Sequence, residues 1–405
     1  MSTLSRKRIF NRSIRPQYLK TPIAITAIAT ISPLGLTQEE QWTAYTNNKT
    51  AIVWDAKLNA YIAPLHQDAI REIANIREEN SHYKRLDASV LYGILAARKA
   101  LKIAGWSDGD FGINVGSSRG ATQLFESYYD DFKVQGTTQT LASPTTTSGN
   151  ISSWLAHDLK SNGPDISHSI TCSTALHAVL NGVAWLQSGM ATRFLVGGTE
   201  AALTPFTIAQ VKAMKLTPKQ QPKTYPCKAL APDKIRNTMV LGEGAGMACL
   251  ETGTPDNAIA YITGIGYATE ILEHSVSLSS TGDCFQKSMR MALGDLDPSA
   301  VDAIVMHAPG TIKGDAAEIA AIATVFKSHK PLLTTNKWKV GHTFGASGIL
   351  SVELAVQMLK HQKFIDVPYT RSVEQSHVKS EVLRYILVNA VGFGGNAVSV
   401  LVRKA

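Results

Sequence analysis

Short apolar runs and helix-period segments alternate along this chain from residue 22 to its end, and the alternation restarts once. That rhythm dictates an α/β fold, because strands separated by helical stretches pack as sheets covered by helices. PIAITAIATISP (22–33) reads as a strand, 85–105 as a helix stopped by Gly105, and GINVGSSRGA (112–121) as a strand and a glycine turn. Residues 145–160 read as a helix, 165–171 as a short strand, 173–189 as a helix and 192–203 as a buried strand. GEGAGMACLE (242–251) reads as a glycine turn entering a strand. TGTPDNA (252–258) is the clearest linker. Beyond it strands are expected at 258–270, 301–310 and 331–337, and helices at 287–296, 316–328 and 345–362. A closing hairpin is expected from 384–395 and 397–404. Two halves of like rhythm imply a pseudo-duplicated fold, divided as 21–255 and 256–405.

No stretch approaches the eighteen uninterrupted apolar residues of a membrane span. The four cysteines are scattered without CxxC spacing, which argues against a zinc site or a disulfide framework and fits a reducing, cytoplasmic compartment. A formal charge of +8 favours an acidic partner. Nucleic acid is not the expected one, because its binding motifs are absent. Residues 1–20 carry six cations and no acid, as a basic docking arm or an organellar transit peptide would.

Four positions invite chemistry. Cys172 stands in SITCSTALHA where a strand feeds a helix; such a turn exposes a side chain, and a helix N-terminus lowers a thiol's pKa. A buried structural cysteine is the plainer alternative, and the reading of Cys227, Cys249 and Cys284. His307 and His342 both follow apolar runs beside glycines, at strand ends where α/β proteins place their sites. Lys337 lies five residues before His342 and could hold nearby groups electrostatically.

In order and internal spacing, ITAIATISPLG, GPDISHSITCSTALHA, VLGEGAGMACLE, HAPGTIKGDAAE, TNKWKVGHTFGASG and NAVGFGGN resemble the motifs of a β-ketoacyl synthase of the Cys-His-His type, within the thiolase-like condensing enzymes. The likeness covers nearly everything after residue 21. It implies a five-layered αβαβα fold and a decarboxylative Claisen condensation with a malonyl thioester. Acyl groups would arrive on the phosphopantetheine arm of an acyl carrier protein, with no permanently bound cofactor and no metal. Carried over by position, Cys172 accepts the acyl group, His307 and His342 stabilise the enolate, and Lys337 supports them with Glu318 as its partner. Phe393 is the gate and, with Cys172, supplies oxyanion-hole N–H groups; Thr311 binds the pantetheine; Asp315 is a structural loop acid. A homodimer, or a heterodimer with a homologous ketosynthase or chain-length-factor subunit, is the implied assembly.

The chain departs from the family pattern in several places. Pro309 replaces one pantetheine-binding threonine, Val391 a common aromatic, and Ser351 a common glutamate, with Glu353 two residues on. Trp338 follows the lysine where smaller residues are usual, and the GFGG turn is one residue short. These point to a specialised polyketide or polyene pathway as readily as to fatty-acid synthesis. A non-catalytic chain-length-factor-like subunit is the alternative, but such subunits usually lack the cysteine. A thiolase would show a late second cysteine, and hydride transfer a GxGxxG turn; neither is present.

Overall fold

In the computed structural model, residues 19–219, 224–271, 278–370 and 382–405 are described. The basic arm over residues 1–20 lies outside them except for its last two residues. Ten strands form one mixed sheet: β1 (Ile23–Ile31), β2 (Gly112–Gly116), β3 (Asp165–Ile166), β4 (Arg193–Glu200), β5 (Gly244–Thr252), β6 (Ala260–Thr269), β7 (Ala303–Val305), β8 (Leu332–Thr334), β9 (Tyr385–Gly392) and β10 (Asn396–Lys404). Their spatial order is β3-β2-β4-β5-β1-β6-β10-β9-β7-β8.

Each half repeats the other. β1 pairs antiparallel with β5, β5 antiparallel with β4, and β4, β2 and β3 run parallel. β6, β10, β9, β7 and β8 pair in the same sequence of senses. The halves join where Ile23, Ala24 and Ile25 of β1 face Ile262, Tyr261 and Ala260 of β6.

Six helices complete the repeat: α1 (Ala88–Ala104), α2 (Asn150–Leu159), α3 (Thr174–Ser188), α4 (Asp283–Leu293), α5 (Ile312–Phe326) and α6 (Ser347–His361). α1 covers the outer face of β1 and β5, with α2 beside it, and α4 covers β6 and β10, with α5 beside it. α3 and α6 touch each other and occupy the space between the half-sheets. The result is the five-layered αβαβα arrangement.

Strand alternation explains the layers, since successive side chains point to opposite faces. Phe194 and Val196 of β4 join the central core with α3 and α6, while Leu195 faces α1. Ala303 and Val305 of β7 likewise face the centre, and Ile304 faces α4. In β1 the parity changes midway. Ile23, Ile25 and Ile28 face the centre, whereas Ala27, Ala29 and Ile31 face α1. A register shift between Ile25 and Ala27 supplies the extra residue that flips the faces.

Local signals set the helix ends. Asp87 caps α1 by accepting from the Ser89 N–H at 2.8 Å, and Gly105 ends it in the left-handed region at φ 73°. The helix expected at 145–160 is broken, with α2 starting only at Asn150 after a separate turn at Ala142–Thr146. The one expected at 287–296 starts at Asp283, and the one at 316–328 starts at Ile312, where Thr311 accepts from the Gly314 N–H. The strand at 165–171 is only two residues long, because the chain beyond turns toward Cys172. Helices at Gln38–Thr46, Gln67–Glu79, Thr122–Gln135 and Pro205–Ala213 went unread, as did a small sheet of Val53–Asp55, Ala60–Ala63 and Leu241–Gly242. Among the described residues, no helix is long and apolar enough to cross a membrane.

The crossing of α3 and α6 needs glycine at position 348. A Cβ there would lie 2.7 Å from Leu176 Cγ and 3.1 Å from the Leu176 backbone nitrogen. Gly348→Ala is expected to destabilise the fold by about 1–3 kcal/mol through overpacking. Denaturant unfolding measures this; an unchanged midpoint would show that the helices are not held at that spacing.

Candidate active site

The N-terminal ends of α3 and α6 meet near the middle of the molecule, and the chemistry-bearing residues lie around them. Cys172 precedes α3 by two residues and is buried. Thr171 takes a positive φ of 46°, which strains a β-branched residue. The turn is held by its own side chains. Ser173 N–H and Oγ both donate to Ile170 O, at 3.2 and 3.0 Å. Thr174 Oγ1 donates to Thr171 O at 2.7 Å and accepts from the Ile170 N–H at 2.9 Å. Thr171 Oγ1 reaches Phe393 O at 3.4 Å, tying the turn to the C-terminal glycine loop. A Cβ on Gly392 would stand 2.0 Å from Thr171 Oγ1, so only glycine lets that loop approach.

Cys172 packs in an apolar cluster with Ala202, Ile208, Val211, Met239 and Phe344. Burial pushes its thiol up to about 12, the Glu200 carboxylate adds to this, and Lys337 opposes it. The expected lowering by the helix N-terminus is therefore overcome: the resting group is a neutral thiol.

His307 follows β7 and His342 precedes α6; their rings meet edge to face with centroids 5.2 Å apart. His342 also contacts the Phe344 ring at 5.3 Å. Its backbone is clamped by its N–H donating to Val240 O at 2.6 Å and its carbonyl accepting from Gly242 N at 3.1 Å. Burial, with the Lys337 charge, pushes His307 down to about 3; burial, His307 and Lys337 hold His342 well below its usual value. Both imidazoles are neutral at pH 7, each able to donate one N–H. Among the described residues neither buried Nδ1 has a hydrogen-bond partner.

Lys337 is buried, and burial lowers it to about 8, against the favourable charge of Glu318. The expected Lys337–Glu318 pairing is not a direct one. Lys337 Nζ donates to Asn336 Oδ1 at 3.0 Å and contacts Ser351 Oγ at 3.4 Å. Glu318 instead accepts from the N–H groups of His307 and Ala308, at 3.0 and 2.9 Å, and from Asn389 Nδ2 at 3.1 Å. It holds the histidine loop, including Ala308 at a positive φ of 20°. Asp315 does related work one turn earlier on α5, accepting from Gly310 N and Leu230 N at 3.0 Å each and from Lys234 Nζ at 2.9 Å.

Thr311 is partly exposed, with its oxygen committed to capping α5. The Phe393 ring is 39% exposed, at the rim. Among the described residues, the N–H groups of Cys172 and Phe393 donate to no acceptor.

Sequence reasoning passed over Glu200. Buried at the end of β4, it accepts from Ser117 Oγ, Ser118 N, Arg119 N and Gly345 N at 2.8–3.1 Å, and so fastens the start of α6 to the turn after β2. An acid ending the apolar run RFLVGGTE was its signal. Glu353 was noted only as displaced. It is buried beside Tyr45 and Gln357, and burial raises it to about 7, against the pull of those two side chains.

Comparison with known proteins agrees with this arrangement. Residues 20–255 match the family model "Beta-ketoacyl synthase, N-terminal domain", and residues 248–373 its C-terminal counterpart. The 3-oxoacyl-[acyl-carrier-protein] synthase 2 of Vibrio cholerae is 26% identical, over 95% of this chain and 99% of that protein. The Staphylococcus aureus protein of the same name is 24% identical, over 93% and 97%. A β-ketoacyl synthase from Burkholderia phymatum superposes with a TM-score of 0.80 at 21% identity, covering 95% of this chain and all of that one. A type II polyketide ketosynthase structure, solved with its acyl-carrier protein, superposes at 0.82 and 17% identity, covering 95% and 100%. Matched by both halves of the family model and carrying the thiolase-like fold, the chain belongs to the β-ketoacyl synthases, the acyltransferases that condense acyl-carrier-protein thioesters.

Proposed function

We propose that the Cys172 site carries out both half-reactions of a decarboxylative condensation. In the first, the Cys172 sulfur attacks the thioester carbonyl of an acyl group on a carrier-protein pantetheine arm. A new C–S bond forms, the old one breaks, and the thiol proton leaves with the carrier sulfur. The N–H groups of Cys172 and Phe393 would hold the carbonyl oxygen as it takes up charge. In the second, a malonyl thioester loses CO2 and its enolate attacks the acyl carbonyl. The C–S bond to Cys172 breaks, and the thiolate regains a proton.

The observation that carries this reading is the pair of neutral, buried imidazoles facing each other, with Phe344 touching the His342 ring and belonging to the cluster around the buried Cys172 thiol. Neutral N–H donors can stabilise an enolate oxygen without first giving up a proton, and removing one such donor costs about 3 kcal/mol in a desolvated site. Lys337 supplies a positive charge that acts on Cys172, His307 and His342 alike. A carboxylate is drawn toward it, and when CO2 leaves, the negative charge stays behind on the enolate, where the imidazole N–H donors can hold it. The departures at Pro309, Val391 and Ser351 support a specialised polyketide or polyene substrate.

Intact-protein mass spectrometry after incubation with acyl-carrier-protein thioesters tests the nucleophile. The wild type should gain one acyl mass and Cys172→Ala none. Loading that persists in the variant, or no adduct on the wild type from any donor, would contradict the assignment.

We also propose a dimer. Phe125, Tyr129 and Phe132 form an exposed stripe at helical spacing on Thr122–Gln135, and β3 leaves the N-terminal half with an unpaired sheet edge. Such a surface invites a partner chain. Sedimentation at micromolar concentration should give a dimer; a monomer that pairs only with a homologous chain would make the assembly a heterodimer instead.

A further inference from the structure

Glu353 is a carboxylate on α6 that lies in the middle of the molecule, 1% exposed. Among the described residues no cation pairs with it. Two residues earlier on the same helix, Ser351 Oγ contacts the Lys337 ammonium directly at 3.4 Å. Side chains two apart on a helix diverge by about 200°, so Glu353 does not share that route. Burying a carboxylate in this way is unfavourable unless neighbouring groups engage it.

The helix Gln38–Thr46 brings Tyr45 to this carboxylate, and Tyr45 is itself buried. Its hydroxyl faces both Glu353 and the Asn336 amide. Asn336 Oδ1 in turn accepts from Lys337 Nζ at 3.0 Å. Asn336 Nδ2 and both Glu353 oxygens are buried and make no closer hydrogen bond among the described residues. Lys339 fixes the geometry. Its buried Nζ donates to Ala44 O, Asn47 O and Lys49 O at 2.6, 2.6 and 2.8 Å, and so clasps the end of the Tyr45 helix to the turn Lys337–Val340. Thr50 Oγ1 donates to Trp338 O at 2.7 Å and Ala51 N to Lys339 O at 3.1 Å, which closes the same contact.

Counting protons gives this chain of groups a direction. A carboxylate only accepts and an ammonium only donates. Tyr45 has one hydroxyl proton, which goes to Glu353, and its oxygen is left to accept from Asn336 Nδ2. An amide that turns Nδ2 toward Tyr45 turns Oδ1 toward Lys337. We infer that Glu353 and Tyr45 are positioning residues, which hold the Asn336 amide in the one orientation that accepts from the Lys337 ammonium. The use made of that charge rests on the condensing-enzyme reading; the orientation does not. With the amide reversed, N–H donors would face the ammonium, and the lysine would give up its proton more readily. Glu318, Cys227, Cys172 and Asp315 also favour the charged lysine, His307 and His342 face it, and Gln357 faces Glu353. Substitutions at Tyr45 and Glu353 leave all of these in place.

The test is a titration of the full chain carrying 13Cε-labelled lysine, with Lys337→Arg and Lys339→Arg assigning the two buried residues. Burial lowers both to about 8 in the wild type. Tyr45→Phe and Glu353→Gln should each bring the Lys337 midpoint down by about one pH unit, the worth of a hydrogen bond to a charged group, and leave Lys339 where it is. Because the two residues act in series, the double variant should move Lys337 no further than either single one. A Lys337 midpoint unmoved in both folded single variants, or shifts that add in the double variant, would overturn the inference. The titration uses no substrate, so it is independent of the condensing reading. That reading adds an expected fall of about fivefold in the decarboxylation of a malonyl carrier-protein thioester at pH 8, because a midpoint near 7 leaves about a tenth of the lysine charged there, against about half. A moved midpoint with an unchanged rate would uphold the positioning chain and contradict the part given to the Lys337 charge.

Discussion

The packing of α3 against α6 between the two half-sheets is the constraint on which the rest depends. It brings two helix N-termini to one place: Cys172 leads into α3, and His342 into α6. Neither half contains a complete site. The first contributes the thiol and Glu200; the second contributes both imidazoles, Lys337 and Glu318. The short β1–β6 pairing keeps the half-sheets in register, and Gly348 lets the helices approach. Duplication thus brings the groups of the site together at the seam.

Burial at that seam sets the chemistry. A thiol held neutral, two imidazoles held neutral and a lysine lowered to about 8 are all buried there. The two nearby carboxylates are oriented by backbone N–H groups, not by cations. Glu318 grips the His307 loop, and Glu200 fastens the beginning of α6 to the turn after β2. Desolvation makes each remaining charge and dipole count for more than it would in water. Among the described residues Lys337 forms no direct ion pair, and its charge acts on the thiol and on both rings.

Much of this was legible in the sequence, and the gaps have physical causes. Strands buried on both faces, such as β4 and β5, read as continuous apolar runs, and the linker at 252–258 marked the turn between the halves. The helix at Gln38–Thr46 was missed because it buries only Gln41 and Tyr45, too few to show a period. Its capping box, Thr37 with Glu40, was the available signal. Cys172, His307 and His342 could be picked out because each was read at a strand end or a glycine-flanked turn, and Lys337 because it lies five residues before His342. The Glu318 contacts could not: a helical glutamate at that spacing looks solvated, and only the fold turns it inward to the His307 and Ala308 amides. Nor could the thiol's protonation be read. Position at a helix N-terminus argued for a thiolate, while the apolar cluster assembled from distant residues decided otherwise.

The claim that burial keeps both catalytic imidazoles neutral can be measured directly by 15N NMR of the histidine side chains across pH 5 to 8, with His307→Gln and His342→Gln to assign the resonances. His307, lowered to about 3, binds no proton anywhere in that window, and His342 is held well below its usual value by burial, so both resonance pairs should stay at neutral-ring positions. Charging of either His307 or His342 between pH 5 and 8 would contradict the account, because a cationic ring beside Lys337 would require a wetter, more open site than the one this fold encloses.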